Sequence, residues 1–269
     1  MTNLSLDLLL PGVQSVALAA GEAINAIYAG ADFGIEQKPD DTPVTAADRA
    51  AHAVIAAGLK ALAPQVPLWS EESPDVDWTM RRGWQEFWLV DPLDGTREFI
   101  KRNGEFTVNI ALVRDHKAVL GVVHAPVTGL IYSGHEGGPA VRTNRDGTAT
   151  IIHVRSPAGS PVRVAGSRSH RGASLDGVLA KLGPHELVPM GSSLKFCLVA
   201  EGLADLHPRL GPTSEWDTAA GQAVVEAAGG AVLDLKGQPL RYNSGPGVLN
   251  PHFYVRGDPG RDWLAAFAD

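Results

Sequence analysis

The chain has 269 residues, of which 44% are hydrophobic and 20% charged, and it carries a formal charge of −7. This composition excludes disordered and fibrous proteins, and the length suits one large domain or two modest ones sharing a core. The acidic balance argues against a nucleic acid polymer as a partner, because duplex binding needs a basic surface. By sign alone it would also argue against a phosphorylated substrate.

Composition also bears on the compartment. The single cysteine, Cys197, excludes an intramolecular disulfide, and we expect it to be a small buried hydrophobe. The first basic residue is Lys38, so the basic start of a signal peptide is missing. No stretch approaches the ~18 uninterrupted apolar residues of a membrane span. We therefore expect a cytoplasmic protein without an integral membrane span.

The predicted elements begin with two helices. Apolar residues spaced by three and four over 9–27 predict a first helix that Gly30 ends, and a second helix is predicted over 45–62. Two short apolar runs follow, 66–69 and 87–90, and acidic residues come directly after each. We interpret both runs as buried strands that deliver carboxylates at their carboxyl ends.

The pattern changes at residue 107. Short β-rich runs punctuated by Gly and Pro predict an antiparallel meander, over 107–113, 118–124, 130–133 and 150–154. Strands then alternate with helices, and the strands are predicted over 162–165, 187–189, 204–206 and 231–233. The clearest helix of this part covers 216–227. We expect an N-terminal α+β subdomain of residues 1–156 and a C-terminal α/β subdomain of residues 157–269.

The most informative motif is Asp-Pro-Leu-Asp-Gly-Thr at 91–96, directly after a predicted strand. Asp91 and Asp94, joined by a proline and followed by a glycine, predict a tight turn rather than an extended strand. Such a turn would aim both carboxylates and the Leu93 carbonyl at one point, and all-oxygen ligand sets suit Mg²⁺. The alternative is a plain Asp/Gly turn in which Asp91 accepts backbone N–H groups.

Other acids allow a structural explanation when taken one at a time. Glu71 and Glu72 repel each other unless they are solvated or neutralised by a cation. Asp217 opens a predicted helix, where a carboxylate interacts favourably with the helix dipole. Asp48 completes a pattern typical of a capping box that begins at Thr45. The case for a site rests on their convergence.

Motif spacing excludes three other chemistries. A phosphatase with an aspartyl nucleophile needs aspartates two residues apart after a strand, and here they are three apart. A Gly-x-Ser-x-Gly elbow and a Gly-x-x-x-x-Gly-Lys-Ser/Thr loop are both missing from the sequence, which excludes serine hydrolases and P-loop nucleotide hydrolases.

Two segments resemble the signatures of the inositol monophosphatase superfamily of Mg²⁺-dependent, lithium-sensitive phosphatases, Trp88–Phe99 (WLVDPLDGTREF) and Glu215–Gly221 (EWDTAAG). Three further segments resemble the bacterial 3′(2′),5′-bisphosphate nucleotidases within it, namely Phe99–Ile110, Ser167–His170 and Gly191–Gly202. The resemblance spans 38–253.

The resemblance implies an α+β fold, layered α/β/α/β/α, and a site for two or three Mg²⁺ ions. The implied metal ligands are Glu71, Asp91, the Leu93 carbonyl, Asp94 and Asp217. Asp91 would bridge two ions, and Asp217 would be the ligand that the second subdomain contributes. The implied catalytic residues are Asp48, Glu72 and Thr96, with Thr96 orienting the attacking water and the two acids supporting it.

The same resemblance implies how a substrate is held. Backbone N–H groups from Leu93 to Thr96 would cradle the scissile phosphate. The implied substrate-binding residues are Glu71, Leu93, Asp94, Gly95, Thr96, His170, Gly191, Lys195 and Asp217. Arg168 and Arg209 are further candidates for a second phosphate. Lys195 has independent support, because a cation near a helix start is unfavourable unless an anion compensates it.

The activity implied by the resemblance is hydrolysis of 3′-phosphoadenosine 5′-phosphate to AMP and phosphate, by direct attack of metal-activated water without a phosphoenzyme. The implied role is removal of that nucleotide during sulfate assimilation. The alternatives are a phosphatase for inositol monophosphate or a sugar bisphosphate, and a non-catalytic Mg²⁺-dependent nucleotide sensor. The resemblance also leaves open a homodimer and peripheral attachment to the inner membrane.

The implied site changes what the net charge means. Six of the 30 acidic residues belong to it, and the remaining 24 stand against 23 basic residues, a balance of −1. Bound cations reverse the local electrostatics of such a site. The net charge therefore does not exclude an anionic substrate, whereas the argument against a nucleic acid polymer stands.

Overall fold

The computed structural model describes residues 5–30, 33–37, 43–73, 76–166 and 173–268. The helices of these residues are α1 Leu6–Tyr28, α2 Ala46–Leu62, α3 Trp78–Arg81, α4 Thr96–Ile100, α5 Ala173–Leu182, α6 Leu194–Ala200 and α7 Glu215–Ala227, with a short 3₁₀ helix at Leu264–Ala266. The strands are β1 Glu36–Gln37, β2 Pro43–Val44, β3 Leu68–Ser70, β4 Glu86–Asp94, β5 Thr107–Arg114, β6 Lys117–Ala125, β7 Leu130–His135, β8 Ala140–Thr143, β9 Ala149–Ile152, β10 Val162–Gly166, β11 His185–Pro189, β12 Leu206–Arg209, β13 Ala231–Asp234 and β14 Phe253–Arg256.

Two sheets form the frame. The larger has seven strands in the order β3-β4-β5-β6-β7-β8-β9, with β3 and β4 parallel and every later pair antiparallel. The smaller has five strands in the order β11-β10-β12-β14-β13, of which β10 is parallel to both its neighbours. The meander predicted from residue 107 is confirmed, and it includes the short strand β8, which the sequence analysis missed.

Helices and sheets alternate in five layers. α1 and α2 cover one face of the larger sheet, α6 and α7 lie between the two sheets, and α5 covers the outer face of the smaller one. The apolar run 87–90 of β4 is buried on both faces of the sheet: Phe87 and Leu89 face the core between the sheets, whereas Trp88 and Val90 face α1 and α2. The predicted layered α+β fold is confirmed.

α1 is long and apolar enough to cross a membrane by length and composition. Its buried residues form one stripe along α2 and the strands β6 and β7, namely Leu9, Val13, Val16, Ala17, Ala20, Gly21 and Ile24. A stripe of this spacing is what a core helix buries against a sheet. The packing therefore accounts for the apolar composition of α1.

The two halves of the chain share a core. The larger sheet lies within residues 1–156 and the smaller within 157–269, yet α7 packs against the larger sheet. The approach is close at Gly121 of β6, where an added Cβ would collide with the Ala220 carbonyl. α7 is thereby held against the sheet that carries the acidic motif, although the two belong to different halves.

Two strands of the second half differ from the prediction. The strand predicted over 204–206 lies at β12, and β14 was missed, although it pairs with both β12 and β13. β14 is only four residues long and follows a loop rich in Gly, Pro and Ser, so it gives a weak periodic signal. Cys197 is buried as expected.

Candidate active site

The acidic motif lies on a strand. β4 continues through Asp94, and the chain turns only at Gly95, whose φ of +95° is in the left-handed region. The predicted tight turn over 91–94 is therefore wrong. Asp91 pairs with Asn109 and Asp94 with Thr107, so two residues of β4 oppose one residue of β5.

This two-against-one pairing is a β-bulge. In a regular strand, residues three apart point to opposite faces of the sheet. The extra residue in the bulge brings Asp91 and Asp94 to the same side, and it gives Pro92 a position that needs no ladder hydrogen bond. The bulge therefore does what the sequence analysis assigned to a turn.

Three carboxylates meet at this point. One oxygen each from Asp91, Asp94 and Asp217 lies within 4.8 Å of the others, and we call these three residues the carboxylate cluster. Glu71 follows β3 directly, and its N–H donates to the Val90 carbonyl at 3.0 Å, which places it beside Asp91. The end of β3, the bulge of β4 and the start of α7 thus supply the acids.

The electrostatics of the cluster are those of a cation site. Burial raises the pKa of Asp91 well above its ordinary value, and the carboxylates of Glu71 and Asp94 raise it further. Burial likewise raises the pKa of Asp217, with Asp94 and Glu71 adding to it. Buried like charges destabilise one another unless a cation neutralises them, and carboxylate oxygens are the donors that Mg²⁺ prefers. The donor set fits this ion.

Hydrogen bonds orient the cluster. Asp91 accepts the Leu93 N–H at 3.0 Å, and Asp217 accepts the Ser214 N–H at 3.0 Å in a capping box of α7. Asp91 therefore accepts a backbone N–H and Asp217 lies at a helix start, as the structural explanations of these two acids required, although Asp91 does so in a bulged strand and not in a turn. Each acid has a structural partner and still contributes an oxygen to the cluster.

Two serines that the sequence analysis did not assign hold Asp94. The hydroxyls of Ser192 and Ser193 each donate to Asp94 Oδ2 at 2.7 Å. Asn109 Nδ2 donates to Ser193 Oγ at 2.8 Å, and Thr107 Oγ1 lies 2.6 Å from Ser192 Oγ. The available signal was the pair of polar residues, Thr107 and Asn109, within the otherwise apolar strand β5.

Ser192 has a strained backbone. Its φ of +52° lies in the left-handed region, which is unfavourable for a residue with a Cβ. Such a conformation costs of order 1–3 kcal/mol and persists where neighbouring contacts enforce it. Here the hydroxyl contacts to Asp94 and Thr107 do so, which fixes the site before any ligand arrives.

Thr96 and Asp48 face each other across the site. Thr96 Oγ1 lies 3.4 Å from Asp48 Oδ1 and 3.4 Å from the Leu93 carbonyl. Asp48 Oδ2 accepts from the Thr45 N–H at 2.8 Å and from the Thr45 hydroxyl at 2.6 Å, so the predicted capping box is present. Asp48 caps α2 with one oxygen and faces Thr96 with the other.

Glu72 lies one residue beyond Glu71. Its N–H donates to Ser70 Oγ at 3.3 Å, and its carboxylate raises the pKa of His52, opposing the larger effect of burial. Its expected support of Thr96 stays a prediction.

A cavity of about 150 Å³ opens beside the cluster, and we call it the cationic pocket. Its lining residues are Asp94, Gly95, Arg97, Glu98, Gly191, Ser192, Ser193, Lys195, Phe196, His207, Arg209, Thr213, Asp217 and Phe253. The expected residues Gly191, Lys195 and Arg209 all lie in this wall, whereas His170 and Arg168 lie outside the described residues. Arg97, His207 and Phe253 were not foreseen.

The cations in the pocket are held at defined positions. Lys195 Nζ donates to the Ser192 carbonyl at 2.5 Å, and burial lowers its pKa while Asp94 opposes that shift. Arg209 Nη2 donates to the Pro212 carbonyl at 2.8 Å. Gly191 has a packing role as well, because an added Cβ would lie 2.9 Å from Glu105 Cβ.

Comparison with known proteins gives a consistent result. A model of the inositol monophosphatase family matches residues 6–259. The chain is 52% identical over 248 residues to the 3′(2′),5′-bisphosphate nucleotidase CysQ of Escherichia coli strain K12, covering 92% of this chain and 99% of that protein.

Solved structures agree with the sequence comparison. CysQ from Bacteroides thetaiotaomicron, a bacterial member of the inositol monophosphatase family, superposes with a TM-score of 0.82 at 41% identity, covering 94% of this chain and 97% of that one. An inositol monophosphatase from Zymomonas mobilis superposes with a TM-score of 0.78 at 26% identity, covering 98% and 99%. The chain therefore belongs to the inositol monophosphatase family.

Proposed function

We propose that this chain is a 3′(2′),5′-bisphosphate nucleotidase that hydrolyses 3′-phosphoadenosine 5′-phosphate to AMP and phosphate with two or three Mg²⁺ ions. One observation carries the proposal: Asp94 belongs both to the carboxylate cluster and to the wall of the cationic pocket. A phosphate at the cluster would thus have Lys195 and Arg209 beside it for a second phosphate. The 52% identity to a nucleotidase supports this substrate.

The ions would be held by the cluster together with Glu71 and the Leu93 carbonyl. Bound Mg²⁺ supplies an activated water and stabilises the leaving oxygen in an in-line displacement. The protein places these acids in advance through the bulge in β4 and the capping box of α7. No Cys, Ser or His nucleophile is needed for this chemistry.

Thr96 would orient the attacking water. Its hydroxyl hydrogen has Asp48 and the Leu93 carbonyl as acceptors, which leaves the oxygen lone pairs to accept a hydrogen from water. Thr45 holds the Asp48 carboxylate in place through two hydrogen bonds. Asp48 in turn orients the hydroxyl of Thr96. A sensor without catalysis would have no use for this pair.

The pocket walls favour a nucleotide over inositol phosphate. The aromatic rings of Phe196 and Phe253 lie 5.9 Å apart, centroid to centroid, and His207 packs edge-on against both. These rings are almost fully buried, so the feature that favours a nucleotide is the pair of cations, Lys195 and Arg209, which suit a second phosphate that inositol 1-phosphate lacks. We therefore expect the nucleotide to be preferred.

The proposal includes a cytoplasmic location and the removal of this nucleotide during sulfate assimilation. The buried free thiol of Cys197 accords with a reducing compartment. Assembly into a homodimer stays a prediction, and sedimentation of the purified protein would test it.

A substrate panel tests the proposed function. Purified protein with Mg²⁺ would be given 3′-phosphoadenosine 5′-phosphate, its 5′-phosphosulfate relative, AMP and inositol 1-phosphate, and phosphate release would be measured. We expect kcat/KM for the first nucleotide to exceed that for inositol 1-phosphate by at least about 100-fold. Equal or better turnover of inositol 1-phosphate would contradict the nucleotide assignment.

A further inference from the structure

Arg81 is a buried arginine outside the carboxylate cluster and the cationic pocket. It ends α3, in the connection from β3 to β4, and only 2% of its surface is exposed. Nη1 donates to Asn243 Oδ1 at 2.7 Å and to the Gly245 carbonyl at 3.0 Å. Nη2 donates to the Pro246 and Gly247 carbonyls at 2.7 and 3.2 Å. One guanidinium thus binds four acceptors of a single loop, 243–247.

The loop also hydrogen-bonds to the start of α7, the helix that carries Asp217. Asn243 returns a bond from Nδ2 to the Arg81 carbonyl at 2.7 Å, and its own N–H donates to Glu215 Oε2 at 2.7 Å. Glu215 is the buried first residue of α7, and its N–H donates to the Val248 carbonyl at 2.8 Å. Loop 243–248 therefore lies along the start of α7.

The planar face of the guanidinium packs on the segment that carries Glu71. Arg81 Cζ lies 4.1 Å from the ring centroid of Trp69 in β3, two residues before Glu71. The Trp69 ring also packs edge-on against Trp216, at 5.8 Å between centroids, directly before Asp217. We call Arg81, Trp69, Asn243 and Glu215 the clasp. It touches both acid-bearing segments without touching the carboxylate cluster.

The cluster needs such a clasp, because its acids repel one another. Oxygens of Asp217, Asp91 and Asp94 lie within 4.8 Å of one another, and the hydrogen bond from the Glu71 N–H to the Val90 carbonyl places Glu71 beside Asp91. Glu71 comes from the first half of the chain and Asp217 from the second, so repulsion between their carboxylates favours separation of the two segments. A fork of four hydrogen bonds and a ring stack oppose that separation.

We infer that Arg81 is a positioning residue that sets the affinity of the carboxylate cluster for divalent cations, by fixing the Glu71 segment against the Asp217 helix. This inference rests on the proposed metal site. Loss of a group hydrogen-bonded to a metal ligand typically changes metal affinity by about 10–100-fold, and the clasp lies one contact further out, so we expect the lower end of that range. The planar fork of arginine cannot be replaced by the single ammonium of lysine, although the charge opposite Glu215 is retained.

The experiment compares Arg81→Lys with Arg142→Lys in the full chain. Arg142 is the matched control, because it lies on β8, away from the cluster, and its guanidinium is likewise held by a fixed partner, the Glu201 carboxylate at 3.0 Å. Calorimetry on the metal-free proteins would measure Mn²⁺ affinity, and kinetics would give the Mg²⁺ concentration for half-maximal activity. For Arg81→Lys we expect the Mn²⁺ affinity to fall by about 10-fold and the Mg²⁺ concentration for half-maximal activity to rise by about 10-fold. We expect kcat at saturating Mg²⁺ to stay close to wild type.

Arg142→Lys should bind Mn²⁺ as the wild type does. Wild-type Mn²⁺ affinity in Arg81→Lys would overturn the inference, even if its thermal stability falls. If Arg81→Lys does not fold, Asn243→Gly replaces it, because glycine accepts the φ of +54° at that position and removes only the side-chain bonds to Arg81. The same loss of affinity is expected, and wild-type affinity again overturns the inference.

The outcomes separate this inference from the proposed function. A wild-type protein that binds Mn²⁺ in an Arg81-dependent way but hydrolyses no nucleotide would refute the function and leave the inference standing. If the protein hydrolyses the nucleotide but the Arg81 and Asn243 variants bind Mn²⁺ as tightly as the wild type, the function stands and the inference is refuted.

Discussion

Asp91 combines a structural and a chemical role in one carboxylate. It accepts the Leu93 N–H inside β4, as an ordinary turn aspartate would, and it also faces Glu71, Asp94 and Asp217. Burial and those acids raise its pKa, so without a cation the charged form is unfavourable. A bound cation would therefore stabilise the charged form of Asp91.

Replacing Asp91 with Asn should abolish turnover with little loss of fold. Asparagine keeps the shape and the acceptor for Leu93 but removes the charge, so we expect the metal-free melting temperature to stay equal or rise. Phosphate release and a thermal melt would measure the two effects. Asp176→Asn, an exposed position in α5, is the control and should leave both unchanged. Activity above a small fraction of wild type would refute the assignment of Asp91.

Thr96 offers a test of water orientation. Thr96→Val keeps the branched shape and removes the hydroxyl that lies between Asp48 and the Leu93 carbonyl. We expect kcat to fall by about 10²–10⁴-fold, the range for loss of a group that positions a proton transfer, while Mn²⁺ affinity stays near wild type. Thr96→Ser should retain most of the activity. Equal rates for the Val and Ser variants would show that the hydroxyl has no such role.

At the residue scale, the sequence predicted the acidic residues of the cluster but not the serines that hydrogen-bond to them. Asp91, Asp94 and Asp217 follow from two motifs, and the structure brings them together. Ser192 and Ser193 were missed because their partner, Asp94, is about a hundred residues away in the chain, and nothing local shows that contact.

Among the elements, β4 and α7 matter most for the site. The bulge in β4 turns two aspartates to one side, and α7 brings Asp217 to them from the other half of the chain. The strand itself was predictable from its apolar run. The bulge was not, because it depends on the register between β4 and β5, which a single strand does not encode.

The close approach of α7 to β6 predicts a stability effect. Gly121→Ala would place a methyl group against the Ala220 backbone carbonyl, and backbone cannot move aside as a flexible side chain can. We expect the free energy of unfolding to fall by about 1–3 kcal/mol, measured by urea denaturation. Gly177→Ala in α5 is the control, since nothing lies within 4 Å of its Cβ, and alanine there should raise stability slightly. A Gly121→Ala protein as stable as wild type would contradict the packing.

The interface of α1 with the sheet predicts a pH effect. His124 lies against Gly21 of α1, and its Nδ1 is 3.0 Å from the Leu130 carbonyl. Burial lowers its pKa below the usual 6.5, and Arg145 lowers it further, so below pH 6.5 the unfolded chain binds a proton that the folded chain does not. Stability contributed by neutral His124 is complete above that pH and declines as the pH falls.

His124→Asn should reduce this decline. Asparagine replaces the Nδ1 hydrogen bond without a group that titrates, so the slope of unfolding free energy against pH between 5 and 6.5 should decrease by up to about 1.4 kcal/mol per pH unit. Buried His207 contributes in the same direction and is the reason for measuring a difference between variants. An unchanged slope would refute the assignment to His124.

For the whole molecule, the net charge of −7 is a poor guide to the substrate, because it does not describe the charges at the site. The acids are concentrated at the carboxylate cluster, whereas Lys195 and Arg209 line the adjoining pocket. An anionic substrate interacts with the bound cations and with these two basic side chains, so their charges decide its binding and the average charge of the protein does not. The layered fold was predictable because its signatures span both halves, whereas the clasp around Arg81 was not, since it joins residues about 160 positions apart.

The central claim is that this chain hydrolyses 3′-phosphoadenosine 5′-phosphate through a divalent-cation site. The most direct measurement strips the purified protein with a chelator, adds the nucleotide, and follows AMP by chromatography before and after Mg²⁺ is restored. We predict no AMP from the stripped protein and stoichiometric AMP and phosphate once Mg²⁺ is present. AMP formed at the same rate without divalent cations, or no AMP with them, would contradict the claim.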